Sequence, residues 1–375
     1  MSVQKQIARS SIHEIERRRT RTNRLETERE LKNQPNPSNL RQQNLFAWRP
    51  ILTANLVIPL ILVIGIVVLL AGIFFLKAAN SVHEFTLDYG DRCAINTTCN
   101  LDFHLSEDFQ GNVYFYYQLE NFFQNHRRYI KSRSNPQLAG DIKNVGFCST
   151  FSNSEYCCQP YDYQKINETN IPIAPCGMIA NSMFTDSFVV YRYGDGAARN
   201  RVPLTHRGVL ANIEWKTRFK NPKTNGKDLC TAFEGTVKPP YWRKSPCELD
   251  RDHVDNNGFE NVDFIVWMQT AALQNTRKLH RLLDREVDST FKDGLPAGSY
   301  QLEIANYYQV DMFNGKKRFV ISTTSWMGGK NRFLGIAYIL TGSICVLLAT
   351  VFSFIHFKFG HSLSEMADLS VNKKH

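Results

Sequence analysis

The sequence predicts an integral membrane protein with two transmembrane α-helices and one large ectodomain that is β-rich, disulfide-bonded and glycosylated. Three observations predict this fold class. Two uncharged apolar runs lie near opposite ends of the chain, eight of the nine cysteines lie between them, and strand-like runs recur in the same segment. Such runs favour an antiparallel, sandwich-like sheet assembly with short helices.

The apolar runs set the domain boundaries. A helix of about 25 residues is about 37 Å long, which covers a hydrocarbon core of about 30 Å with some tilt. The sequence therefore divides into five parts: a basic amino-terminal tail (1–49), a first span (50–76), an ectodomain (77–332), a second span (333–357) and a carboxyl-terminal tail (358–375).

Charge indicates the orientation. The tail 1–49 carries eleven Lys or Arg against five Glu, and no cleavable signal precedes the first span, so both termini are expected in the cytosol. Much of the net charge of +10 lies in this tail beside the membrane, which argues against a nucleic-acid partner. The tail either sets topology or attracts anionic membrane lipid, and both readings remain open.

Cysteines and glycosylation sequons indicate the compartment of the ectodomain. Eight cysteines in one segment suit an oxidising environment. The two usable sequons begin at Asn96 and Asn167, where N-linked glycans are expected. Both features predict an exoplasmic or lumenal ectodomain.

Strand-like runs alternate with turn signals along this ectodomain. Strands are predicted at 111–119, 186–193, 208–219, 300–310 and 318–324. One longer helix is predicted over 262–284, because apolar residues there recur at helical spacing opposite a basic face.

The search for chemistry gives no catalytic, cofactor-binding or metal residue. The chain lacks G-x-S-x-G, H-E-x-x-H and Walker A motifs. The acidic stretch 250–258 does not place ligands in a calcium-loop register, so an Asn-Gly turn is favoured there. The histidines are scattered without ligand spacing, which argues against zinc.

Small residues recur every seven positions in both spans. This spacing returns to nearly the same face of a helix, where small side chains let another helix approach closely. The residues are Gly65 and Gly72 in the first span and Gly335, Gly342 and Ala349 in the second, and they are predicted to pack against a partner helix. The alternative, that glycine is simply frequent in membrane helices, remains open.

Six sequence blocks carry a resemblance to a known family. The chain resembles the cell-division-control-protein-50, or ligand-effect-modulator, family in the blocks ENFFQNHRRY at 120–129, PCGMIANSMF at 175–184, DNNGF at 255–259, DFIVWM at 263–268, LPAGSY at 295–300 and SWMGGKN at 325–331. The match runs from about residue 46 to the end of the second span.

The resemblance implies a non-catalytic beta subunit of a type-IV P-type ATPase, that is, a phospholipid flippase. The catalytic alpha subunit would bind ATP and move lipid to the cytosolic leaflet. The beta subunit would support folding, exit from the endoplasmic reticulum and activity of its partner. The resemblance further implies a multi-pass protein of the endoplasmic reticulum, Golgi, endosome or plasma membrane.

The resemblance also narrows the disulfide pairing. Cys158 and Cys176 match a cysteine pair of the family, and Cys93 with Cys99 is expected where the family has a denser cluster. By elimination, the remaining expected pairs are Cys148 with Cys157 and Cys230 with Cys247.

Two other functional classes remain as alternatives. Trimeric ligand-gated channels share two spans, internal termini and a cysteine-rich loop, but the spans here lack polar pore-facing residues and the motifs of those families. A doubly anchored ectoenzyme would need a catalytic constellation that the sequence does not display.

Overall fold

The computed structural model describes residues 38–46, 53–145, 158–194, 198–210, 217–224 and 226–360. Contacts group residues 63–348 into one compact unit, which contains the ectodomain and the adjoining lengths of both long helices. The described residues outside that range belong to a second unit. Cys148, Cys157 and most of both tails lie outside the described residues.

Two long helices have the length and composition of membrane spans. They are α1 (Ala54–Asn80) and α7 (Phe333–Phe359), with 27 residues each, or about 40 Å at the helical rise. The shorter helices are α2 (Arg127–Lys131), α3 (Asn135–Leu138), α4 (Met178–Asn181), α5 (Leu229–Ala232) and α6 (Val262–Met268). Single 3-10 turns occupy Pro246–Glu248, Gly258–Glu260, Ser289–Phe291 and Asp311–Phe313.

The ectodomain between these spans is built from antiparallel strands. They are β1 (Glu84–Asp88), β2 (Thr97–Leu105), β3 (Phe109–Gln110), β4 (Tyr114–Leu119), β5 (Tyr163–Ile166), β6 (Thr169–Pro172), β7 (Ser187–Tyr193), β8 (Arg199–Arg201), β9 (Leu204–Thr205), β10 (Thr276–Leu283), β11 (Gly294–Leu295), β12 (Gly298–Asn306) and β13 (Lys317–Ser322). One sheet has the order β1-β13-β4-β10-β9, and a second has the order β2-β12-β7-β8. Two-stranded pairs join β3 to β11 and β5 to β6.

The register of these strands follows from side-chain alternation. Along β4, Phe115, Tyr117 and Leu119 are buried while the residues between them are partly exposed. Strand β4 pairs with β13 from Leu119 opposite Lys317 to Tyr114 opposite Ser322. A slip of one residue would turn the buried aromatic face outward, so burial of that face fixes the register.

Aromatic side chains fill the space between the two larger sheets. The ring of Phe319 in β13 lies 4.9 Å from the ring of Phe188 in β7, measured between centroids. At the edge, Phe85 of β1 stacks on Phe103 of β2 at 5.0 Å. These contacts join one sheet to the other, which gives the predicted sandwich-like, disulfide-bonded ectodomain.

The structure corrects the helix predicted over 262–284. Helix α6 begins after Asn261, whose side chain accepts the backbone N–H of Phe264 at 2.9 Å, and it ends at Met268. Residues 276–283 form strand β10 instead. The inward face of β10 includes Thr276, Lys278 and His280, so its two-residue alternation was hidden by polar residues at buried positions.

The structure shows no strand at the described ends of the range 208–219, where a strand was predicted. Strand β9 ends at Thr205, before this range, and residues 208–210 and 217–219 are not in strands. Residues 211–216 lie outside the described residues. The other predicted strands correspond to β4, β7, β12 and β13.

A buried ion pair connects the two sheets. Lys317 begins β13, Asp186 precedes β7, and both side chains are fully buried with Nζ to Oδ2 at 2.9 Å. Asp186 also accepts the hydroxyl of Tyr89 at 2.9 Å and the backbone N–H groups of Tyr307 and Tyr308 at 2.6 Å. Because every oxygen of the carboxylate has a donor, the pair is compensated for its loss of water.

Three disulfides staple the described ectodomain. They join Cys93 to Cys99, Cys158 to Cys176 and Cys230 to Cys247. These are three of the four pairs expected from the resemblance and by elimination, and the fourth, Cys148 with Cys157, lies outside the described residues. Cys345, inside α7, is a free thiol.

Candidate functional site

The small-residue faces of α1 and α7 meet within the chain. A Cβ built on Gly342 would lie 2.7 Å from the backbone N of Leu69 and 2.9 Å from the carbonyl O of Gly65. A Cβ built on Gly72 would lie 2.7 Å from the backbone N of Ile339. The two helices therefore touch through their backbones, as small residues in membrane helices allow.

The remaining predicted packing residues show the same pattern. A Cβ on Gly335 would lie 2.8 Å from the backbone N of Leu76, and Ala349 is buried. Helix α7 therefore occupies the face of Gly65 and Gly72 on α1, and α1 occupies the face of Gly335 and Gly342 on α7. That these residues also pack against a helix of another protein stays a prediction.

Large apolar side chains cover the outward faces of the helix pair. They include Val67, Leu70 and Phe74 on α1 and Leu340 and Leu347 on α7, each about three-fifths exposed. Such a surface is stable in lipid or against another membrane helix, and it would be costly in water. The helix pair thus presents exposed apolar side chains that suit lipid or another membrane helix.

Aromatic residues mark the junction of the helix pair with the ectodomain. The ring of Trp326 lies 5.4 Å from Phe74 and 6.2 Å from Phe75, and Phe75 meets Tyr338 edge to face at 5.3 Å. We call these four residues the boundary cluster. Trp326 remains 67% exposed, which suits an anchor at the membrane interface.

A cavity of about 740 Å³ lies in the ectodomain beside β7 and β10. Its charged lining includes the basic residues Arg201, Arg243, Lys244 and Arg251 and the acidic residues Asp250 and Asp263. Phe184, Val190 and Trp242 are among the apolar residues that line it as well, so the wall combines charges of both signs with apolar surface.

Within this cavity wall, Asp263 of α6 is bound by two residues of β10. The Arg281 guanidinium donates to both carboxylate oxygens at 2.6 and 2.9 Å, and His280 Nδ1 lies 3.3 Å from Oδ1. Burial alone would raise the pKa of Asp263, but Arg281 and His280 hold the pKa well below its usual range. The carboxylate stays ionised and ties α6 to β10.

Acid sensitivity should follow from this carboxylate. Above about pH 4, Asp263 contributes its full stabilisation; as the pH falls further, the unfolded chain binds a proton that the folded chain does not, so stability is lost. We expect the unfolding temperature of Asp263→Asn to fall less steeply with acid than that of the unsubstituted protein. Thermal unfolding between about pH 5 and 3 measures this.

Asp293→Asn, at an exposed position, is the matched control and should keep the original acid slope. Equal slopes for all three proteins would contradict the role assigned to the Asp263 carboxylate.

Lys278 is also buried, and nothing in the sequence indicated this burial. Its Nζ donates to the carbonyls of Val266 and Trp267 at 3.1 Å and to that of Gln269. Burial lowers the pKa of Lys278 to about 7. The Lys278 amine caps the carboxyl end of α6, where unpaired carbonyls favour a donor and, when Lys278 is protonated, a cation.

The predicted glycosylation sites lie on exposed turns. Asn96 precedes β2, and Asn167 lies in the turn between β5 and β6. Both have positive φ, 62° and 47°, a conformation that asparagine tolerates better than most residues. Glycans at these positions stay a prediction.

The structure also brings together residues that the sequence left scattered. His206, Asp250 and His253 form one group, although His206 is far from the other two in the sequence. Lys317 and Asp186 likewise meet across the two sheets. No local spacing signals such contacts, because they arise only when distant strands pair.

These features define a class of protein: a two-span membrane protein with a disulfide-bonded β-sandwich ectodomain and extensive apolar helix surface. The family model described as "LEM3 (ligand-effect modulator 3) family / CDC50 family" matches residues 75–362. The chain belongs to this family.

Individual relatives agree over nearly the whole chain. Cell cycle control protein 50A of Bos taurus is 44% identical over 350 residues, covering 90% of this chain and 92% of the relative. Cell cycle control protein 50B of Homo sapiens is 38% identical over 344 residues, covering 87% and 94%. ALA-interacting subunit 3 of Arabidopsis thaliana is 32% identical over 357 residues, covering 90% and 91%.

Proposed function

We propose that this chain is the non-catalytic beta subunit of a type-IV P-type ATPase and supports phospholipid movement from the exoplasmic to the cytosolic leaflet. The observation that carries the proposal is family membership across residues 75–362, which includes the end of α1, the ectodomain and α7. One relative is named as an interacting subunit, which favours a role beside another protein.

The helix pair supports a role as a membrane scaffold. Its small-residue face is closed by backbone contact between α1 and α7, so the pair can present its outward apolar faces to lipid and to a partner's helices. In this account the boundary cluster holds the junction at the membrane surface, and the ectodomain covers the exoplasmic loops of the partner.

The mechanism is one of differential binding. An accessory subunit that binds some transport states of its partner more tightly than others shifts their populations by that difference in affinity. It needs no catalytic group for this effect. A rigid, cross-linked ectodomain suits the role, because little conformational entropy is lost when it docks.

The proposal includes orientation and location. Both termini would lie in the cytosol, and the ectodomain would carry N-linked glycans at Asn96 and Asn167. The subunit would leave the endoplasmic reticulum with its partner for the Golgi, endosomes or plasma membrane. The trimeric-channel alternative has no support from the family match.

Lipid uptake tests this function. Cells depleted of the chain should internalise less of at least one fluorescent phospholipid among phosphatidylserine, phosphatidylethanolamine and phosphatidylcholine, and re-expression should restore uptake. Re-expression of a form truncated before α7 serves as the negative control. Unchanged uptake of all three lipids after depletion would overturn the proposal.

A further inference from the structure

Two histidines and an aspartate that are separated in the sequence meet in the ectodomain. His206 directly follows β9, whereas Asp250 and His253 lie in the turn that precedes α6. One ligand atom from each side chain lies within 4.8 Å of the other two. The Nδ1 of His253 is 3.3 Å from Oδ2 of Asp250, and the two imidazole centroids are 4.7 Å apart.

His206 brings a buried imidazole to this group from the end of β9. Its side chain is only 8% exposed, and its ring lies edge to face against that of His253. Imidazole nitrogen is the commonest metal ligand among protein side chains. The fold therefore places two imidazoles and one carboxylate within reach of a single ion.

Asp250 is held in place by its own turn. Its Oδ1 accepts the backbone N–H groups of Asp252 and His253 at 3.1 and 3.2 Å, and its Oδ2 accepts from Asn256 at 2.7 Å. The Asn257 amide group binds the backbone N–H and carbonyl of Asp250, each at 2.8 Å. Such supporting contacts orient a carboxylate before any ligand arrives.

The chemical nature of the three ligands indicates which ion would bind. Zinc binds imidazole nitrogen and carboxylate oxygen at about 2.0–2.2 Å, which places neighbouring ligands of a tetrahedral site about 3.4 Å apart. The spacing between Asp250 and His253 already meets this value. Two imidazoles and one carboxylate suit zinc, whereas calcium takes about six to eight oxygen ligands.

We propose that His206, Asp250 and His253 form a site for a divalent transition-metal ion, with zinc the best-suited ion. Three protein ligands leave a fourth position for water, and Asp250 and His253 line the cavity beside β7 and β10, which gives the ion a path to the site. The bound ion clamps the turn 250–257 against the end of β9.

Zinc binding to the purified full-length chain tests the proposal. The protein, carrying an affinity tag without histidine, is stripped with a chelator and titrated with Zn²⁺ alone against a chromophoric competitor. We expect one zinc per chain. His206→Ala and His253→Ala should each weaken this binding at least tenfold, and the exposed His126→Ala should leave it unchanged.

A second measurement uses the unsubstituted chain, so its result does not depend on whether the variants fold. Co²⁺ added to the unsubstituted chain should give the visible absorption bands of four-coordinate cobalt, and one equivalent of Zn²⁺ should remove them. Zinc should also raise the unfolding temperature of the unsubstituted chain. The absence of the cobalt bands, or equal zinc affinity in the His206→Ala, His253→Ala and His126→Ala variants, would overturn the site.

Discussion

Replacing Asp186 with alanine is expected to destabilise the ectodomain by about 3–5 kcal/mol, since it leaves the Lys317 ammonium buried without its counter-charge. Lys317 would keep the carbonyl of Tyr308 and the amide oxygen of Asn306 as acceptors, but these do not neutralise it. Tyr89, Tyr307 and Tyr308 would lose the oxygens that accept their donors. Thermal unfolding in mild detergent measures the loss.

Two further variants make this test specific to the ion pair. Asp186→Leu combined with Lys317→Met removes both charges, and it should be more stable than Asp186→Ala because no unpaired charge remains. Asp91→Ala, at an exposed position, should unfold as the unsubstituted protein does. An Asp186→Ala variant as stable as Asp91→Ala would contradict the bridging role of the pair.

Replacing Gly342 with leucine is the second change with a large expected effect. Its Cβ would meet the backbone of Leu69 and Gly65 at 2.7 and 2.9 Å, and backbone atoms cannot rotate away as a side chain can. The helices must separate, at a cost of about 3 kcal/mol, the upper end for added volume in a packed interior. Unfolding temperature and recovery of monodisperse protein from membranes should both fall.

Ser343→Leu is the matched control, because Ser343 is exposed on the same helix. The same side chain added there points to lipid and should change neither quantity. If Gly342→Leu behaved like Ser343→Leu, the backbone contact between α1 and α7 would not be needed for the stability of the chain.

The large features of this fold could be predicted because each has a local signal. Spans follow from long apolar runs, and strands such as β4 and β12 follow from aromatic and β-branched residues. The heptad of small residues identified the close-packing face of each helix. The spacing could not show that the two faces pack against each other, because it describes the residues of one helix at a time.

The features that the sequence did not reveal depend on contacts between distant residues. The second half of the predicted helix 262–284 is strand β10, where buried Lys278 and His280 replace the apolar residues that would have marked a two-residue period. Both are tolerated since neighbours compensate them: the carbonyls at the end of α6 bind Lys278, and Asp263 lies beside His280. His206, Asp250 and His253 meet for the same reason, through pairing across the fold.

Affinity purification of this chain from its native membrane in mild detergent, with mass spectrometry of the co-purifying proteins, tests the central claim most directly. We expect recovery of one large multi-span P-type ATPase at near-equal stoichiometry, and less of it with Gly342→Leu than with Ser343→Leu. Recovery of a homotrimer without any ATPase would contradict the claim and favour the channel alternative.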